Sequence, residues 1–151
     1  GLNTASLRYF NVFGPRQDPK SQYAAAIPIF VYKALKNECI TIYGDGEQTR
    51  DFVYVKDVVQ ANVLAAVNEK VNGVFNVANE QAISINELAK LIIKSTGSSS
   101  EIVYENERPG DIKHSLASIK ETREELNFKP SFNLISSLEK TIKYFENLNR
   151  V

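Results

Sequence analysis

The sequence contains no methionine, no tryptophan, one cysteine and one histidine. A single cysteine, Cys39, excludes an intrachain disulfide, so we predict a protein of the reducing cytoplasm. A Ser-His-Asp triad would depend on His114 alone, and we interpret this residue as a loop histidine without a catalytic role. Because the chain begins with Gly1 and lacks methionine, we expect it to be a piece of a longer protein or a trimmed form of one.

The chain also lacks a net charge and a long apolar run. It has 18 Lys plus Arg residues against 18 Asp plus Glu residues, which argues against nucleic acid or an anionic membrane as its partner. No segment approaches the length of a membrane span. With 43% hydrophobic residues in 151, the chain is expected to form a globular core. Because the net charge is zero, any anion-binding site must be local and built from a few arginines.

Several signatures of chemistry are missing as well. The sequence has no GxGxxG loop after a strand, and so no cradle for the pyrophosphate of a dinucleotide. It has no Walker A motif and no cluster of metal ligands, so no metal site is predicted. Function must be sought in isolated polar residues of the loops, where binding sites are usually built.

Short strands alternate with helices along the whole chain, which predicts an α/β fold. A capping box, Ser84 with Glu87, marks one helix start, and Asp57 and Ser118 are predicted to cap two others. Strands are predicted at residues 4–10, 40–43, 50–55, 73–78 and 101–104, helices at 24–36, 57–68, 84–94, 118–126 and 134–148, and loops at 11–23 and 106–111.

The first predicted strand is apolar on both faces, as Leu7, Tyr9 and Phe10 show. Such a strand is typical of the interior of a parallel sheet. The residues that follow offer few obvious parallel neighbours. We therefore expect its partners to lie upstream of this sequence.

Arginines lie in or beside three loops that contain glycine or proline: Arg16, Arg50 and Arg108. The planar guanidinium suits phosphate oxygens, and two such groups from separate loops could neutralise a diphosphate. Tyr43 could stack on a base, and Asp111 could accept hydrogen bonds from a ribose diol. The alternatives are an ordinary surface role for each arginine and a turn-closing role for Asp111.

Several motifs in order resemble one enzyme group. They are LRYFNVFGPRQ from Leu7, YAAAIP from Tyr23, YGDGEQTRDFVYV from Tyr43, FNVA from Phe75 and RPGD from Arg108. This series resembles the extended short-chain dehydrogenase/reductase enzymes that act on nucleotide sugars: 4-epimerases, dehydratases and decarboxylases. The resemblance implies the last strand of a Rossmann-type domain followed by the small C-terminal α/β substrate-binding domain, so that residues 1–151 form the C-terminal portion.

The resemblance also implies roles for individual residues. The counterpart of Asn11 contacts the nucleotide diphosphate, those of Arg50 and Arg108 bind its phosphates, and that of Asp111 holds the uridine ribose. Uracil is expected to face the backbone at Ala25 and Ala26 and the strand from Thr41 to Tyr43. Tyr9 is expected near the nicotinamide end of NAD.

Two features favour a subgroup. The segment QDPKSQYAAAIP, from Gln17 to Pro28, resembles epimerases of UDP-N-acetylglucosamine and its uronic acid, and would place Gln17 near the sugar. Ser115 stands where 4-epimerases restricted to glucose and galactose tend to have a bulky tyrosine. A small residue there leaves room for an N-acetyl group. The resemblance therefore implies an NAD-dependent UDP-N-acetylhexosamine 4-epimerase of polysaccharide biosynthesis.

The group's catalytic motif is missing from this chain. Its Tyr-x-x-x-Lys, accompanying Ser/Thr and glycine-rich loop have no counterpart, and Lys36, four residues after Tyr32, is assigned to a helix surface. We therefore predict no catalytic residue here and no activity of the chain alone. NAD is expected to bind mainly to an N-terminal half outside this sequence, which would also form a homodimer.

Two alternatives stay open at this stage. The chain could be the same portion of a decarboxylase or dehydratase, which would need further acid and base groups from the other half. It could also be a free-standing module that binds nucleotide sugars without catalysis. The first strand, which lacks an obvious partner in the sequence, counts against the module.

Overall fold

The computed structural model describes residues 1–20 and 25–148; Tyr23 and Ala24 of the YAAAIP motif lie outside the described residues. The elements follow one another as β1 (Ala5–Tyr9), β2 (Asn11–Phe13), α1 (Ala26–Leu35), β3 (Ile40–Tyr43), β4 (Thr49–Tyr54), α2 (Val55–Val67), β5 (Gly73–Val77), β6 (Ala82–Ser84), α3 (Ile85–Thr96), β7 (Ile102–Glu105), α4 (Lys120–Leu126) and α5 (Leu134–Leu148). The α/β class predicted from the sequence is confirmed.

The strands form three small sheets. Parallel pairs join β1 to β5, with Leu7 opposite Phe75, and β3 to β7, with Ile42 opposite Tyr104. In the third sheet β4 is central, parallel to β2 and antiparallel to β6. The chain passes from the first sheet to the third at Phe10, whose N–H donates to the carbonyl of Val77 at 3.0 Å.

Two hydrophobic clusters support these sheets. The first, here called the large core, lies between α1, α3, α5 and strands β3 and β4; it includes Phe13, Ile42, Leu88 and Leu138. The second, the small core, lies between β1, β5, α2 and α4 and includes Val53, Val58, Phe75 and Phe128. Strand β4 contributes to both cores, since successive side chains of a strand point to opposite faces.

The predicted capping box at the start of α3 is confirmed. The Ser84 hydroxyl accepts from the N–H of Glu87 at 3.2 Å, and the Glu87 carboxylate accepts from the N–H of Ser84 at 3.1 Å. Gly97 ends the helix in the left-handed conformation. These two hydrogen bonds fix the start of α3 beside the turn that follows β3.

The caps predicted at Asp57 and Ser118 are wrong. Helix α2 begins at Val55, so Asp57 lies within its first turn. Its carboxylate accepts instead from the N–H and hydroxyl of Ser131, both at 2.9 Å, and from the N–H of Phe132 at 3.3 Å. The N-cap of α4 is Ile119, without a side-chain bond, although the Ser118 hydroxyl accepts from the N–H of Lys120, the first residue of the helix, at 3.4 Å.

Two short strands fall where the sequence predicted none. Residues Asn11–Phe13 form β2, although the punctuation at Gly14 and Pro15 predicted a loop from residue 11. Residues Ala82–Ser84 form β6. Each strand has three residues, too short for a pattern of period two, and each is held by pairing with β4.

The expected environment of the first strand is also corrected. Its parallel partner β5 lies downstream in the same chain, and Tyr9 is 45% exposed instead of buried. Within residues 1–20 and 25–148, the second edge of β1 is not paired with another strand. No helix among these residues is long and apolar enough to cross a membrane.

Candidate functional site

A cleft of about 390 Å³ opens between the start of α1, strands β3 and β4, and the loop after β7. Polar and charged groups line one side and apolar side chains the other. Its lining comprises Asn11, Ala25, Ala26, Phe30, Thr41, Ile42, Tyr43, Gln48, Arg50, Phe52, Ile85, Arg108, Pro109, Gly110 and Asp111. Eight of the ten residues predicted to bind substrate are therefore brought together in one place.

Arg50 connects β4 to the loop that borders the cleft. One nitrogen of its guanidinium donates to the carbonyl oxygens of Thr49, at 2.8 Å, and of Ile112. The other donates to the Asp111 carboxylate. The arginine and the aspartate that the sequence assigned to phosphate and ribose are thus paired with each other.

Arg108 reaches the same cleft from a separate loop. The central carbon of its guanidinium lies 3.8 Å from the centre of the Tyr43 ring, in a cation–π arrangement. Such stacking leaves the edge of the guanidinium, with its N–H donors, available to the oxygen atoms of an anion. Tyr43 therefore supports Arg108, which was not predicted from the sequence.

The apolar side of the cleft is formed by the large core. Phe52 and Phe30 are buried below it, and the Phe52 ring meets Phe13 edge to face at 6.3 Å between centroids. Asn11 is held over this floor, because its side-chain amide donates to the carbonyl of Asp51 at 3.1 Å. Apolar side chains next to two guanidinium groups suit a nucleotide, which has an aromatic base and an anionic tail.

The end of the cleft next to α1 carries small and backbone groups. Ala25 and Ala26 stand at the helix start, and Thr41 faces them from β3. The Lys33 ammonium donates to the Thr41 hydroxyl at 3.3 Å. The small side chains of Ala25 and Ala26 and the hydroxyl of Thr41 are thus part of the same lining.

Three predicted residues lie outside the lining of this cleft. The Gln17 amide donates to the carbonyl of Val12 at 3.2 Å, while its Oε1 is buried and receives no hydrogen bond from the described residues. Ser115 pairs through its N–H with the carbonyl of Thr49 at 3.1 Å. The Tyr9 hydroxyl donates to Asn62 on α2 at 2.8 Å.

Sequence reasoning missed Gln48, Phe30 and Ile85 as cleft residues. Gln48 is buried, and its amide donates to the carbonyl of Tyr43 at 2.7 Å, which fixes the strand end below Arg108. Phe30 and Ile85 look in the sequence like any core positions of helices. No local signal distinguishes them, because only the packing of α1 and α3 decides which core residues border the cleft.

Asp51, next to Arg50 on β4, is fully buried and ties three segments together. Its carboxylate accepts from the N–H groups of Asn79 at 2.9 Å and Ala117 at 3.4 Å. Burial raises the pKa of this carboxyl above its ordinary value, although these backbone donors oppose the shift. Because it faces backbone groups and not the cleft, we assign Asp51 to holding β4 in place.

The chemistry that this cleft offers is binding. It combines two arginines, a carboxylate and an aromatic ring, while the described residues contain no group of three or more potential metal ligands. These residues do not fit a whole dinucleotide, since no GxGxxG turn joins a strand to a helix start, where a pyrophosphate would bind; the Gly44–Gly46 turn after β3 leads into strand β4. His114 pairs with Thr49 in an isolated β-bridge, and its Nδ1 lies 3.2 Å from the Thr49 hydroxyl.

Similar proteins were found in three comparisons. The sequence pattern described as the NAD dependent epimerase/dehydratase family matches residues 1–78. A putative UDP-glucose 4-epimerase of Methanocaldococcus jannaschii is 41% identical over 150 residues, covering 99% of this chain and 48% of that protein. A UDP-N-acetyl-alpha-D-glucosaminuronate decarboxylase of Bacillus cytotoxicus is 38% identical over 155 residues, with 98% and 48% covered.

Among solved structures, a UDP-N-acetylglucosamine 4-epimerase from Methanobrevibacter ruminantium in complex with UDP-N-acetylmuramic acid superposes with a TM-score of 0.90. It is 48% identical, and the match covers 95% of this chain and 46% of that one. The chain thus spans about half the length of the proteins it matches. The α/β fold is that of the C-terminal part of extended short-chain dehydrogenase/reductase epimerases. The family pattern covers more than half of the 151 residues, so the chain belongs to the NAD dependent epimerase/dehydratase family.

Proposed function

We propose that this chain binds the UDP moiety of a nucleotide sugar, as the C-terminal portion of an NAD-dependent UDP-N-acetylhexosamine 4-epimerase. One observation carries the proposal: Arg50 from β4 and Arg108 from the loop after β7 line a single cleft together with Asp111. Two guanidinium groups from distant parts of the sequence suit the two phosphates of one diphosphate.

Binding would rearrange the contacts that now satisfy these groups. A diphosphate would receive N–H donors from Arg50 that at present go to Asp111, and Asp111 would then accept from the ribose hydroxyls. Arg50 and Asp111 would thus pair with each other in the free protein and with the nucleotide in the complex, so that neither charge is left without a partner. Asn11 would donate to the diphosphate, and Thr41, Tyr43 and the backbone at Ala25 and Ala26 would face the uracil.

The sugar preference rests on Gln17 and Ser115. Both lie outside the lining of the nucleotide cleft, so they would contact only a sugar that extends beyond it. Gln17 would have to turn its buried oxygen, which receives no hydrogen bond from the described residues, toward the sugar. The similarity to a UDP-N-acetylglucosamine 4-epimerase supports an N-acetylated sugar.

NAD would be held mainly by an N-terminal half, with Tyr9 as the contribution of this chain on the nicotinamide side. When bound, NAD would supply the oxidation and reduction of the sugar. The unpaired edge of β1 and the exposed Tyr9 support such a neighbour. We further propose that the whole enzyme is a cytoplasmic homodimer that dimerises through that half, and that this chain alone is inactive.

A second candidate keeps the cleft and changes the reaction. The decarboxylase of Bacillus cytotoxicus, similar over 98% of this chain, supports the same nucleotide-binding portion in an enzyme that removes a sugar carboxylate. Substitution Ser115→Tyr should weaken the binding of UDP-N-acetylglucosamine and leave UDP itself unaffected. The free-standing module is less supported, since the chain matches about half of much longer enzymes.

Calorimetric titration of the 151-residue chain with UDP tests the proposal. Arg50→Ala and Arg108→Ala should each weaken binding by about 1.5–3 kcal/mol, the contribution of a charge-assisted hydrogen bond. Arg123→Ala is the matched control, because this arginine pairs with Glu80 and does not line the cleft. Equal affinity of both cleft variants and the wild type would remove the two arginines from the site.

A further inference from the structure

The loop that carries Arg108 and Asp111 ends at an ion pair that the proposed nucleotide contacts do not use. The Lys113 ammonium donates to both carboxylate oxygens of Asp45, each at 2.7 Å. Lys113 follows Ile112, whose carbonyl accepts from Arg50, and Asp45 lies in the turn after β3, two residues beyond Tyr43. The pair therefore connects the ends of the two segments that support the guanidinium groups.

The backbone holds this loop at its two ends. At the first, the N–H of Gly44 donates to the carbonyl of Glu105 at 2.8 Å; at the second, the N–H of Thr49 donates to the carbonyl of Lys113 at 2.8 Å. Between them, residues 106–112 are exposed. Such a segment is positioned by its side-chain contacts, of which Arg108 on Tyr43, Asp111 on Arg50 and Lys113 on Asp45 are the charged ones.

Asp45 is itself held in place on a rigid support. The Asn86 amide, in the first turn of α3, donates to the carbonyl of Asp45 at 3.0 Å and to the Glu47 carboxylate at 2.6 Å. The Tyr104 hydroxyl donates to Asn86 at 2.9 Å. Gly46, with φ 76°, packs so closely that an added Cβ would lie 2.1 Å from the Asn86 oxygen. The backbone of Asp45 is thus held against the start of α3, and its carboxylate also accepts from the N–H of Glu47 at 2.9 Å.

We propose that Asp45 and Lys113 form a positioning pair that holds the Arg108–Asp111 loop over the cleft and so sets the affinity for the nucleotide diphosphate. The inference rests on the proposed function. Neither residue needs to touch the ligand, because each acts through the loop.

Because the pair is exposed, breaking it should change the position of the loop without unfolding the protein. The side chains of Lys113 and Asp45 are 49% and 61% exposed, and exposed ion pairs contribute little to global stability. Hydrogen bonding to Lys113 holds the pKa of Asp45 below its ordinary value, so that this carboxylate is charged at neutral pH. The pair is expected to order a loop and to leave the folded domain unaffected.

Removal of the carboxylate gives the sharpest test. If Asp45 acted on the ligand only through its charge, Asp45→Asn would strengthen the binding of an anion, because a negative charge is lost. The positioning role predicts the opposite, a dissociation constant for UDP about two- to fivefold higher, as for the loss of an exposed pair. A higher dissociation constant for UDP therefore supports the positioning role, and a lower one supports a direct effect of the charge.

The remaining variants complete a double-mutant cycle. Lys113→Met should weaken UDP binding to a similar extent, Lys113→Arg should restore it, and the double variant Asp45→Asn with Lys113→Met should bind no more weakly than either single variant. Hydrogen exchange of the peptide spanning residues 106–112, without nucleotide, should be faster in both single variants. Arg123→Met, which breaks an exposed pair outside the cleft, is the control and should change neither measurement.

Each result separates this inference from the proposed function. If wild-type protein fails to bind UDP, the proposed function is contradicted, while exchange in residues 106–112 still reports on the pair. If the wild type binds and Asp45→Asn binds equally well or more tightly, the positioning role is wrong and the nucleotide site stands. Additive losses in the double variant would also overturn it.

Discussion

The two hydrophobic cores of this molecule differ in how completely they are covered. The large core is enclosed by three helices and the strands below them, and Leu88, Ile92 and Leu138 are fully buried in it. The small core also has fully buried residues, Val53, Val77 and Phe128 among them, but α2 and the strands around it keep apolar side chains exposed. Apolar residues remain on the outer surface of its elements: Tyr9 and Val74 on the strands, and Val59, Val63 and Val67 on α2.

The candidate nucleotide cleft lies against the enclosed core. Its floor residues Phe30, Phe52 and Ile85 belong to that core, so that the arginines above rest on a surface that this chain completes alone. The stripe on α2 recurs every four residues and is 57%, 54% and 70% exposed at its three valines. A stripe of this kind is the face that an amphipathic helix buries against another element. Within the described residues, helix α2 therefore carries an apolar stripe that the small core leaves exposed.

The largest expected effect concerns the enclosed core. Leu88→Ala should lower the free energy of unfolding by about 2–5 kcal/mol, since a fully buried leucine is replaced and a cavity remains. Leu64→Ala, on the half-buried face of α2 next to the small core, is the matched substitution and should cost less than half as much. Urea unfolding of both variants provides the measurement. Equal losses would show that the two cores are equally well packed.

The next effect concerns the joint between the cores. Asp57 on α2 accepts three hydrogen bonds from Ser131 and Phe132, and Phe132 packs on the large core. Asp57→Ala would leave these donors without their acceptor and should lower stability by about 1–3 kcal/mol. Asp57→Asn keeps one acceptor oxygen and should lose less. If unfolding monitored by tyrosine fluorescence and by circular dichroism separates into two transitions in Asp57→Ala alone, the joint couples the cores; a single unshifted transition would contradict this role.

The sequence predicted local features of the helices better than the contacts that connect distant segments. The capping box at Ser84 is a local exchange between two side chains and the backbone, so four residues suffice to predict it. Asp57 looks equally like a cap, yet its partners Ser131 and Phe132 are more than seventy residues away. Strand β2 is three residues long and exists because β4 pairs with it, which no local pattern reveals.

The same division applies to the candidate site. Arg50, Arg108 and Asp111 could be predicted because loop arginines and a resemblance in motif order both pointed to them. What the sequence could not predict is that Arg50 and Asp111 pair with each other, or that Tyr43 lies under Arg108. Those contacts depend on how β3, β4 and the loop after β7 meet in space. Gln48 was missed for the same reason, because a buried polar residue is recognised by its partner.

The smallest effect on stability is expected on the uncovered face. Val63→Ser should change the free energy of unfolding by no more than about 0.5 kcal/mol, because half of this side chain is already in water. It should nevertheless reduce concentration-dependent self-association of the chain, because an exposed apolar stripe favours contact with another copy. Sedimentation velocity over a range of concentrations measures this, with Gln60→Ser, at an exposed polar position of the same helix, as the control. If Val63→Ser destabilised the protein as strongly as Leu64→Ala, the stripe would belong to the small core, and the contrast between a covered and an uncovered half would fail.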